Sequence, residues 1–380
     1  MSKRKITITT GTRAEYGILR PVLKEILTKK NLELYLIVTG THLSKKYGMT
    51  INEIKKDGFK ISKRIEFLPR RNTAFEMTKS IGTGITNFAK TFEKIKPNLN
   101  VILGDRPEVF ASAVAAYNLN IPNAHIHGGD VSGNIDEYTR HAITKISNIH
   151  FPATEKSKKR IILMGENPKF VFSVGSPSID ELKSGKITSN EDFERNYGLK
   201  LNKKFLILLY HPVTTQIMDT RKNIKLILNT IVSFQLPTII ILPNSDPGSN
   251  VIVNEIKKFN KKYNFVKSFS SMPRSDFLCM IKNSGILVGN SSSGIIESSF
   301  FGTPVVNIGI RQNGREHTSN VLHVKNHSKN LIKKAIIKAL KNKKKKDFLY
   351  GRGDSSRRIV QYLETIKLNS NLMEKNDVLK

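Results

Sequence analysis

The sequence has a single cysteine, Cys279, and no apolar run as long as a membrane span. One cysteine excludes a disulfide framework and a thiolate metal cluster, and it is typical of a reducing compartment. The first residues lead directly into a strand pattern and contain no signal-peptide core. We therefore expect a cytoplasmic protein that does not bind membranes.

Acidic residues are scarce as well. There are 31 Asp and Glu residues against 63 Lys and Arg residues, which gives a net charge of +32 over 380 residues. Such a charge can indicate nucleic-acid binding. However, the lysines are spread along the chain, and even the densest group, residues 341–346, lies between helical patterns. We expect no specific nucleic-acid partner and favour an anionic, phosphate-bearing substrate. A nucleic-acid-binding protein without enzymatic activity is the alternative.

Strand and helix patterns alternate along the whole chain. Strands separated by helix-length segments predict parallel βαβ units with right-handed crossovers. The apolar runs do not alternate with polar residues, as expected for strands that are covered on both faces. The predicted strands are residues 5–10, 32–39, 101–103, 124–127, 149–153 and 170–174 in the first half, and 205–210, 238–242, 265–269, 286–289 and 305–309 in the second.

A polar interval over residues 183–204 has little strand character, and the strand pattern restarts after it. We therefore predict an α/β fold with two Rossmann-like, doubly wound parallel-sheet domains, residues 1–183 and 184–380, facing each other across a central cleft. Packing of the last helices back onto the first domain is left open. Domains of this kind bind ligands at the carboxyl ends of their strands.

Ionisable residues are densest just after the predicted strand 124–127. His127, Asp130, Asp136, Arg140 and His141 follow one another around paired glycines. A core would not need so many ionisable groups, because each must be paired or solvated. We interpret the segment as part of an active site. The alternatives are a polar loop with satisfied histidines and a zinc or manganese site; we expect no metal, because no HxxxH, HExxH or three-histidine arrangement is present.

Two further loops of the first half carry an arginine directly after a predicted strand. Arg13, in Gly-Thr-Arg, could bind a diphosphate together with the N–H groups of a helix N-terminus. In Gly-Asp-Arg, Asp105 could act as acid, base or orienting group, and Arg106 could pair with phosphate. A plain tight turn and a local ion pair are the alternatives. Neither loop has a dinucleotide or P-loop pattern.

The second half has the strongest phosphate signal, Gly-Asn-Ser-Ser-Ser-Gly-Ile-Ile-Glu at residues 289–297. Backbone donors, serine hydroxyls and a helix dipole could converge there on an anion. Glu297 could accept hydrogen bonds from ribose hydroxyls, and Arg311 adds a guanidinium. His211, just after a strand, could donate to a phosphate oxygen or protonate a leaving group. Ordinary serine capping and a structural histidine are the alternatives.

Taken together, these motifs resemble the hydrolysing UDP-N-acetylglucosamine 2-epimerases of sialic acid biosynthesis over nearly the whole chain. The matching segments are Gly11-Thr12-Arg13, Gly40-Thr41-His42-Leu43, Gly104-Asp105-Arg106, residues 128–136 (GGDVSGNID), 140–145 (RHAITK), 211–215 (HPVTT), 289–292 (GNSS) and 311–315 (RQNGR).

The resemblance implies a GT-B architecture, in which the second domain holds most of the nucleotide and the first supplies most catalytic groups. It also implies the reaction. A base removes the proton at C2 of the sugar while the C1–O bond to UDP breaks, and water then adds to the resulting glycal to release N-acetylmannosamine. Neither NAD nor a metal takes part, so we expect no cofactor. A homodimer or homotetramer is expected by analogy.

Carried over to this chain, Asp105 and Asp136 correspond to catalytic carboxylates and His211 to the histidine near the leaving phosphate. His127 departs from the family, since many members have His-x-Glu-Gly-Gly where this chain has His-x-His-Gly-Gly. A neutral imidazole can act as a base, so the C2 base is left open. Alternative functions are the same reaction on a nucleotide-linked diacetamido-trideoxyhexose, and a GT-B glycosyltransferase. The predicted substrate- and UDP-binding residues are Arg13, His42, Arg106, Arg140, Ser291, Ser292, Gly294, Glu297 and Arg311.

Overall fold

The computed structural model describes residues 3–69, 73–132, 135–183, 187–201, 204–243, 246, 248–342 and 345–375. Several residues of the motifs above lie outside this set. They are Gly133 and Asn134 of the glycine-rich motif, residues 184–186 and 202–203 of the polar interval, Lys343 and Lys344 of the lysine group, and the side chains of Thr214 and Thr215.

The chain forms two compact units. Unit 1 comprises Met1–Asp130, Asp136–Lys183 and Gly351–Lys380, and unit 2 comprises Val131–Ile135 and Ser184–Tyr350. The strands are β1 (Arg4–Thr10), β2 (Leu32–Thr39), β3 (Ile61–Ile65), β4 (Leu99–Leu103), β5 (Asn123–Ile126), β6 (Ile149–Phe151), β7 (Leu206–Leu209), β8 (Thr238–Ile241), β9 (Val266–Phe269), β10 (Ile286–Gly289), β11 (Val305–Ile308) and β12 (Val321–Val324).

Helices follow the strands in both units. They are α1 (Arg13–Leu27), α2 (Ile51–Lys56), α3 (Ala74–Ile95), α4 (Pro107–Asn118), α5 (Ile135–Lys145), α6 (Glu155–Leu163), α7 (Ser178–Lys183), α8 (Asn190–Tyr197), α9 (Thr220–Val232), α10 (Ser249–Lys262), α11 (Arg274–Asn283), α12 (Ile296–Phe301), α13 (Lys329–Lys341), α14 (Ser355–Thr365) and α15 (Ser370–Met373).

Within the described residues, unit 1 has a six-stranded parallel sheet in the order β3-β2-β1-β4-β5-β6. This is the order of the Rossmann fold, and its topological switch point lies between β1 and β4. Every residue of β4 is buried, because helices cover both faces of the sheet. The core of one face includes Ile6, Ile8, Leu23, Val101 and Leu363, the last from the C-terminal helix α14.

The sheet of unit 2, again within the described residues, has the order β12-β11-β10-β7-β8-β9. Renumbered from its own first strand, this is the same order, with the switch point between β7 and β10. The two strands approach closely there. Gly289 has φ +144°, and a Cβ at this position would lie 1.9 Å from the carbonyl oxygen of Leu209. Only glycine fits where the strands end.

The predicted α/β class is confirmed by these two sheets, and three strand predictions need correction. Residues 170–174 do not form a strand; Val171 makes only an isolated bridge to His150. The sequence analysis also missed β3 and β12, which lie at sheet edges. Edge strands keep one side exposed, so their sequences (ISKRI and VLHV) contain polar residues and lack the apolar runs of the central strands.

A buried carboxylate, Glu166, ties the C-terminal segment to unit 1. Its oxygens lie 2.7 Å from the Nζ atoms of both Lys145 and Lys375, and 3.2 Å from Nε2 of His150. Asn148 Nδ2 also donates to the carbonyl of Leu372 at 3.0 Å. Burial alone would raise the pKa of Glu166, but the bonds from the histidine and the two lysines outweigh it and lower this pKa to about 2.

We predict that Glu166 stabilises unit 1 above about pH 4.5 and that this stabilisation is lost as the pH falls towards 2. Glu166→Gln should lower the free energy of unfolding by roughly 2–3 kcal/mol near neutral pH and by much less at about pH 2–3. Urea unfolding at several pH values measures this difference. Glu155→Gln, which removes an exposed carboxylate of α6, is the control and should change little. If the free energies of unfolding of wild type and Glu166→Gln differed by the same amount at every pH, the assignment would be contradicted.

Candidate active site

Three loops of unit 1 meet at Gly11, beside the switch point of the sheet. The carbonyl oxygen of Gly11 accepts hydrogen bonds from Thr41 Oγ1 at 3.2 Å and from the N–H of His42 at 3.4 Å. A Cβ on Gly11 would lie 2.8 Å from Cγ of Glu108, and one on Gly40 (φ +60°) would lie 2.5 Å from the Gly11 oxygen. Glycine is therefore needed for the loops after β1, β2 and β4 to pack together.

The N-terminus of α1 is capped by the protein's own side chains. Thr12 Oγ1 accepts from the N–H of Glu15 at 3.3 Å, and the Glu15 carboxylate accepts from the N–H of Gly11 at 3.0 Å. Arg13 forms a two-point ion pair with Glu53 of α2, with Nε at 2.9 Å. The N–H groups of Gly11 and Glu15 are thus bound within the protein; substrate binding by Arg13 at this helix end stays a prediction.

His42 is fully buried between the loops. Its Nε2 lies 3.1 Å from Thr10 Oγ1 and its Nδ1 lies 2.7 Å from Thr50 Oγ1. Burial lowers its pKa to about 4, so the ring is neutral near pH 7. Both ring nitrogens bind hydroxyls of the protein. The predicted contact of His42 with substrate does not agree with this geometry, which is that of a residue that joins the loops after β1 and β2.

Asp105 and Arg140 form an ion pair that joins the loop after β4 to helix α5. Arg140 is 4% exposed and also donates to the carbonyl of Asp130 at 2.8 Å. Burial disfavours its charged form, but the charges of Asp105, Asp130 and Asp136 outweigh burial and raise its pKa. The structure thus brings together three predicted site residues, Asp105, Asp136 and Arg140, around one buried guanidinium.

Two buried carboxylates near Arg106 were missed by the sequence analysis. Arg106 Nε lies 3.4 Å from Glu108, which is 5% exposed, and the charge of Glu108 acts on the buried Glu15. The Thr-x-x-Glu pattern that begins at Thr12 is a capping-box signal and could have identified Glu15. The position of Glu108 in the first turn of α4 gives no comparable signal.

His127 has an unusual backbone conformation. It follows β5 directly, is 7% exposed and has φ +63°, a region that residues other than glycine rarely adopt. Its N–H donates to the carbonyl of Phe151 at 3.0 Å, which fixes the turn to β6. Strained conformations of this kind cluster at functional sites. The backbone conformation is therefore compatible with a functional position, while the role of the imidazole stays a prediction.

His125 is a further residue that the sequence analysis did not select. It is fully buried, and its Nε2 bonds to the carbonyl oxygen of Gly104 at 2.8 Å. A carbonyl can only accept, so Nε2 carries the proton. Burial lowers the pKa of His125 to about 3, and the ring stays neutral. His125 therefore fastens the loop that carries Asp105 to the neighbouring strand.

In unit 2, the loops after β7, β10 and β11 meet at Asn290. Its side chain bonds to the N–H of His211 at 2.7 Å and to the carbonyl of His211 at 2.9 Å. Its own carbonyl accepts from Arg311 Nη1 and Gln312 Nε2, both at 3.1 Å. The predicted residues His211 and Arg311 thus converge on one residue at the switch point. Ser291, half-buried, follows directly.

The serine-rich segment is not the start of an α-helix. Ser292–Gly294 form a single 3₁₀ turn, and the six-residue helix α12 begins only at Ile296. A Cβ on Gly294 would lie 2.9 Å from Cδ2 of Leu287, and its N–H donates to the carbonyl of Ser291. Packing against β10 explains why this position needs glycine, while the contact of Gly294 with the nucleotide stays a prediction. The contacts of Ser291 and Ser292 stay predictions.

Glu297 is held by an arginine that was not predicted. Its carboxylate oxygen lies 2.8 Å from Arg274 Nη2, and the Arg274 guanidinium also lies over the ring of Phe277, 5.8 Å from its centre. A carboxylate can accept several hydrogen bonds. The pair is therefore compatible with a ribose contact by Glu297, which stays a prediction.

Groups of metal-ligating side chains and membrane-spanning helices are two features that the described part of the chain lacks. Nowhere in it do three or more His, Cys, Asp or Glu side chains come together in a group that could hold a metal ion. None of its helices combines the length and the apolar character that a bilayer crossing requires.

Glu15 gives a pH test of the packed loops. Burial and the charge of Glu108 raise its pKa to about 7, so its contribution to stability is complete below about pH 4.5 and is lost as the pH rises through 7. A glutamine cannot ionise, so the stability of Glu15→Gln does not fall in this way as the pH rises. Relative to wild type, it should gain roughly 1–3 kcal/mol in free energy of unfolding between about pH 5 and pH 8.

Urea unfolding at both pH values measures the gain. Glu76→Gln is the matched control, because Glu76 occupies the equivalent position of α3, where Thr73 caps the helix, but is more accessible to solvent. It should show no such pH-dependent gain. The same difference from wild type at both pH values in Glu15→Gln would refute the assignment.

Comparison with known proteins relates this geometry to one family. The profile described as UDP-N-acetylglucosamine 2-epimerase matches residues 24–364. The chain is 40% identical over 373 residues to a UDP-N,N'-diacetylbacillosamine 2-epimerase (hydrolyzing) of Legionella pneumophila, covering 98% of each chain. It is 38% identical over 325 residues to a GDP/UDP-N,N'-diacetylbacillosamine 2-epimerase (hydrolyzing) of Campylobacter jejuni, covering 85% of this chain and 84% of the relative.

The fold is similar to that of a solved structure, the UDP-GlcNAc 2-epimerase from Neisseria meningitidis bound to UDP-GlcNAc. The TM-score is 0.81 at 19% identity, over 95% of this chain and 100% of the other. The predicted GT-B-like fold class is thereby confirmed, and so is the resemblance on which it was based. The profile match and the two relatives show that this chain belongs to the UDP-N-acetylglucosamine 2-epimerase family.

Proposed function

We propose that the chain is a hydrolysing 2-epimerase whose substrate is a UDP-linked diacetamido-trideoxyhexose such as UDP-N,N'-diacetylbacillosamine. The observation that carries the proposal is the similarity, at 40% and 38% identity, to two hydrolysing epimerases named for that sugar. The sequence analysis placed UDP-GlcNAc first and this sugar second. UDP-GlcNAc remains the comparison substrate, because a Neisseria meningitidis relative at 32% identity is named UDP-N-acetylglucosamine 2-epimerase.

In the proposed reaction, a base takes the proton from C2 and the C–H electron pair forms the C1–C2 double bond. The C1–O bond breaks, and its electron pair leaves with UDP. Water then adds to the glycal: its hydroxide goes to C1, and a proton is delivered to C2 on the opposite face. One water is consumed, and UDP and the free 2-epimer are the products. The chemistry requires a base, an acid on the other face of C2, and stabilisation of the leaving diphosphate.

We assign the proton transfers to unit 1. Asp105 and Asp136 are the carboxylates, and the buried Arg140 fixes the orientation of Asp105 through their ion pair. His127 is the further candidate, since an imidazole can both accept and donate a proton near neutral pH. Its position at the carboxyl end of β5 is set by the strained turn. Groups that carry out proton transfer must be held accurately, and the contacts around this loop supply that rigidity.

We assign the leaving diphosphate to unit 2. His211, Ser291, Ser292 and Arg311 are the proposed donors, and they lie on the loops after β7, β10 and β11. Such donors stabilise the negative charge that develops on the departing phosphate oxygen. Glu297, held by Arg274, is the proposed acceptor for ribose hydroxyls. The net charge of +32 favours the approach of an anionic substrate.

Proton NMR in deuterated water tests this function. With UDP-N,N'-diacetylbacillosamine and no acceptor, we expect UDP and the free 2-epimer, with deuterium at C2 that comes from the solvent. With UDP-GlcNAc we expect the same chemistry at a lower kcat/KM, by about tenfold or more, since poorly matched substituents typically cost 1–3 kcal/mol of transition-state binding. Retained hydrogen at C2, or release of UDP only when an acceptor sugar is added, would argue for a glycosyltransferase instead.

Removal of the proposed acid–base carboxylates is the second test. Asp105→Asn and Asp136→Asn should each lower kcat by about 10²–10⁴-fold, the usual contribution of such a group. UDP affinity, measured by calorimetry, should change by less than about threefold, or ~0.7 kcal/mol. Asp105→Asn should also be less stable, because it removes a partner of the buried Arg140.

Glu137→Gln is the control for this test. Glu137 lies in the same turn of α5 as Asp136, so the substitution removes one negative charge next to the proposed carboxylate. Its kcat should stay close to that of wild type. Full activity in either aspartate variant would refute the role assigned to that residue.

A further inference from the structure

We infer that Asn290 is a positioning residue that fixes the main chain of His211 for the reaction. Asn290 is completely buried, and both polar ends of its side chain bind the same residue. Oδ1 accepts from the N–H of His211 at 2.7 Å, and Nδ2 donates to the carbonyl of His211 at 2.9 Å. The orientation of the amide is unambiguous, because an N–H only donates and a carbonyl only accepts.

The two hydrogen bonds from the Asn290 side chain to the main chain of His211, which we call the clamp, extend the sheet beyond its last regular pair. In the β7–β10 ladder, Gly289 is paired with Leu209, and the N–H of Asn290 then donates to the carbonyl of Leu209 at 2.9 Å. Two residues beyond Leu209, at His211, the side-chain amide of Asn290 takes the place of a peptide group from a neighbouring strand. A primary amide can do so because it has the same donor and acceptor as the backbone.

The clamp is itself supported from a third loop. The carbonyl of Asn290 accepts from both Arg311 and Gln312, which follow β11. Asn290 therefore joins three loops at the carboxyl edge of unit 2, at the switch point where ligands bind in folds of this type.

This arrangement leaves His211 little conformational freedom. Pro212 follows it, which disfavours the helical region for His211. With its N–H and carbonyl both bound, the main chain is fixed, and so is the point from which the imidazole extends. A displacement of about 1 Å in a reacting group can reduce the rate by about 10²-fold. The catalytic part of this inference depends on the proposed function; the clamp itself does not.

Asn290→Asp is the sharpest test, because it keeps the size of the side chain. An ionised carboxylate cannot donate to the carbonyl of His211, whereas a protonated one can. We expect kcat to fall by about 10–100-fold with KM changed by less than about threefold. The ratio of variant to wild-type kcat should fall further as the pH rises. His211→Ala with Asn290→Asp should be no slower than His211→Ala alone, because residues that act as one unit are not additive.

The matched control is Asn320→Asp. Asn320 is also buried in unit 2, and its Nδ2 donates to the carbonyl of Thr303 at 2.7 Å, but it bonds to no part of His211 in the described structure. This variant should lose thermal stability to a similar degree and keep its kcat. If both variants lose kcat equally, or if the double variant shows the product of the two single effects, the inference is wrong.

Hydrogen exchange at the amide of His211 tests the clamp without any assay of turnover. We expect exchange at least about tenfold faster in Asn290→Ala, which removes the acceptor of this N–H, and unchanged in Asn320→Ala; Asn290→Asp is unsuitable here because its carboxylate can still accept from the N–H. Unchanged exchange in Asn290→Ala would overturn the clamp. If the wild-type protein does not turn over UDP-sugars, the proposed function is wrong. Hydrogen exchange at the His211 amide still tests the clamp in that case. If Asn290→Asp does not fold, the uncharged Asn290→Ser, which also loses the double contact, takes its place in every measurement except the pH series.

Discussion

Glycine is required where strands of both sheets end, because neighbouring groups leave no room there for a Cβ. Gly289 lies against the carbonyl of Leu209 in unit 2, and Gly11 lies against Gly40 and Glu108 in unit 1. Because a Cβ is missing at these points, polar side chains of the adjoining loops can bind main-chain groups directly. The loops that carry the candidate residues are therefore fixed by the ends of the strands, and the chemistry of the site depends on this close contact.

The pKa values of two buried carboxylates of unit 1, Glu166 and Glu15, are shifted in opposite directions. Glu166 is surrounded by cationic and histidine donors, so its ionised form is stabilised and it holds the C-terminal segment to unit 1. Glu15 is buried near another carboxylate, so its ionised form is disfavoured. A protein gains nothing in stability from such an arrangement at neutral pH. Its presence beneath the loops after β1 and β4 is the usual mark of a site shaped by function.

The parts of the fold that sequence could predict are those that depend on local patterns. The central strand β10 is a continuous apolar run, and its predicted bounds agree with those in the structure, as do those of β2, which is rich in apolar and β-branched residues. Asp105 and Arg140 were both selected as site residues, but their ion pair was not predicted, because Arg140 lies in helix α5, well after the end of β5. The partners of Arg13 and Glu297 could not be predicted, since Glu53 and Arg274 come from helices remote in sequence. The surroundings of His42 could not be predicted either, since a motif does not show that the ring is buried and that two threonine hydroxyls bind its nitrogens.

The histidine at position 127 is best understood through the charges around it. The neighbouring loops already carry Asp105, Asp130 and Asp136 about the buried Arg140. A glutamate, which many members of the family have here, would add a further negative charge to this group. An imidazole adds none while it is neutral, and it carries a positive charge only when it takes up a proton. In the proposed reaction this base needs only to hold the proton taken from C2, because C2 receives its new proton on the opposite face. The strained turn after β5 fixes His127 at the carboxyl edge of the sheet of unit 1, the edge that also carries the loop with Asp105.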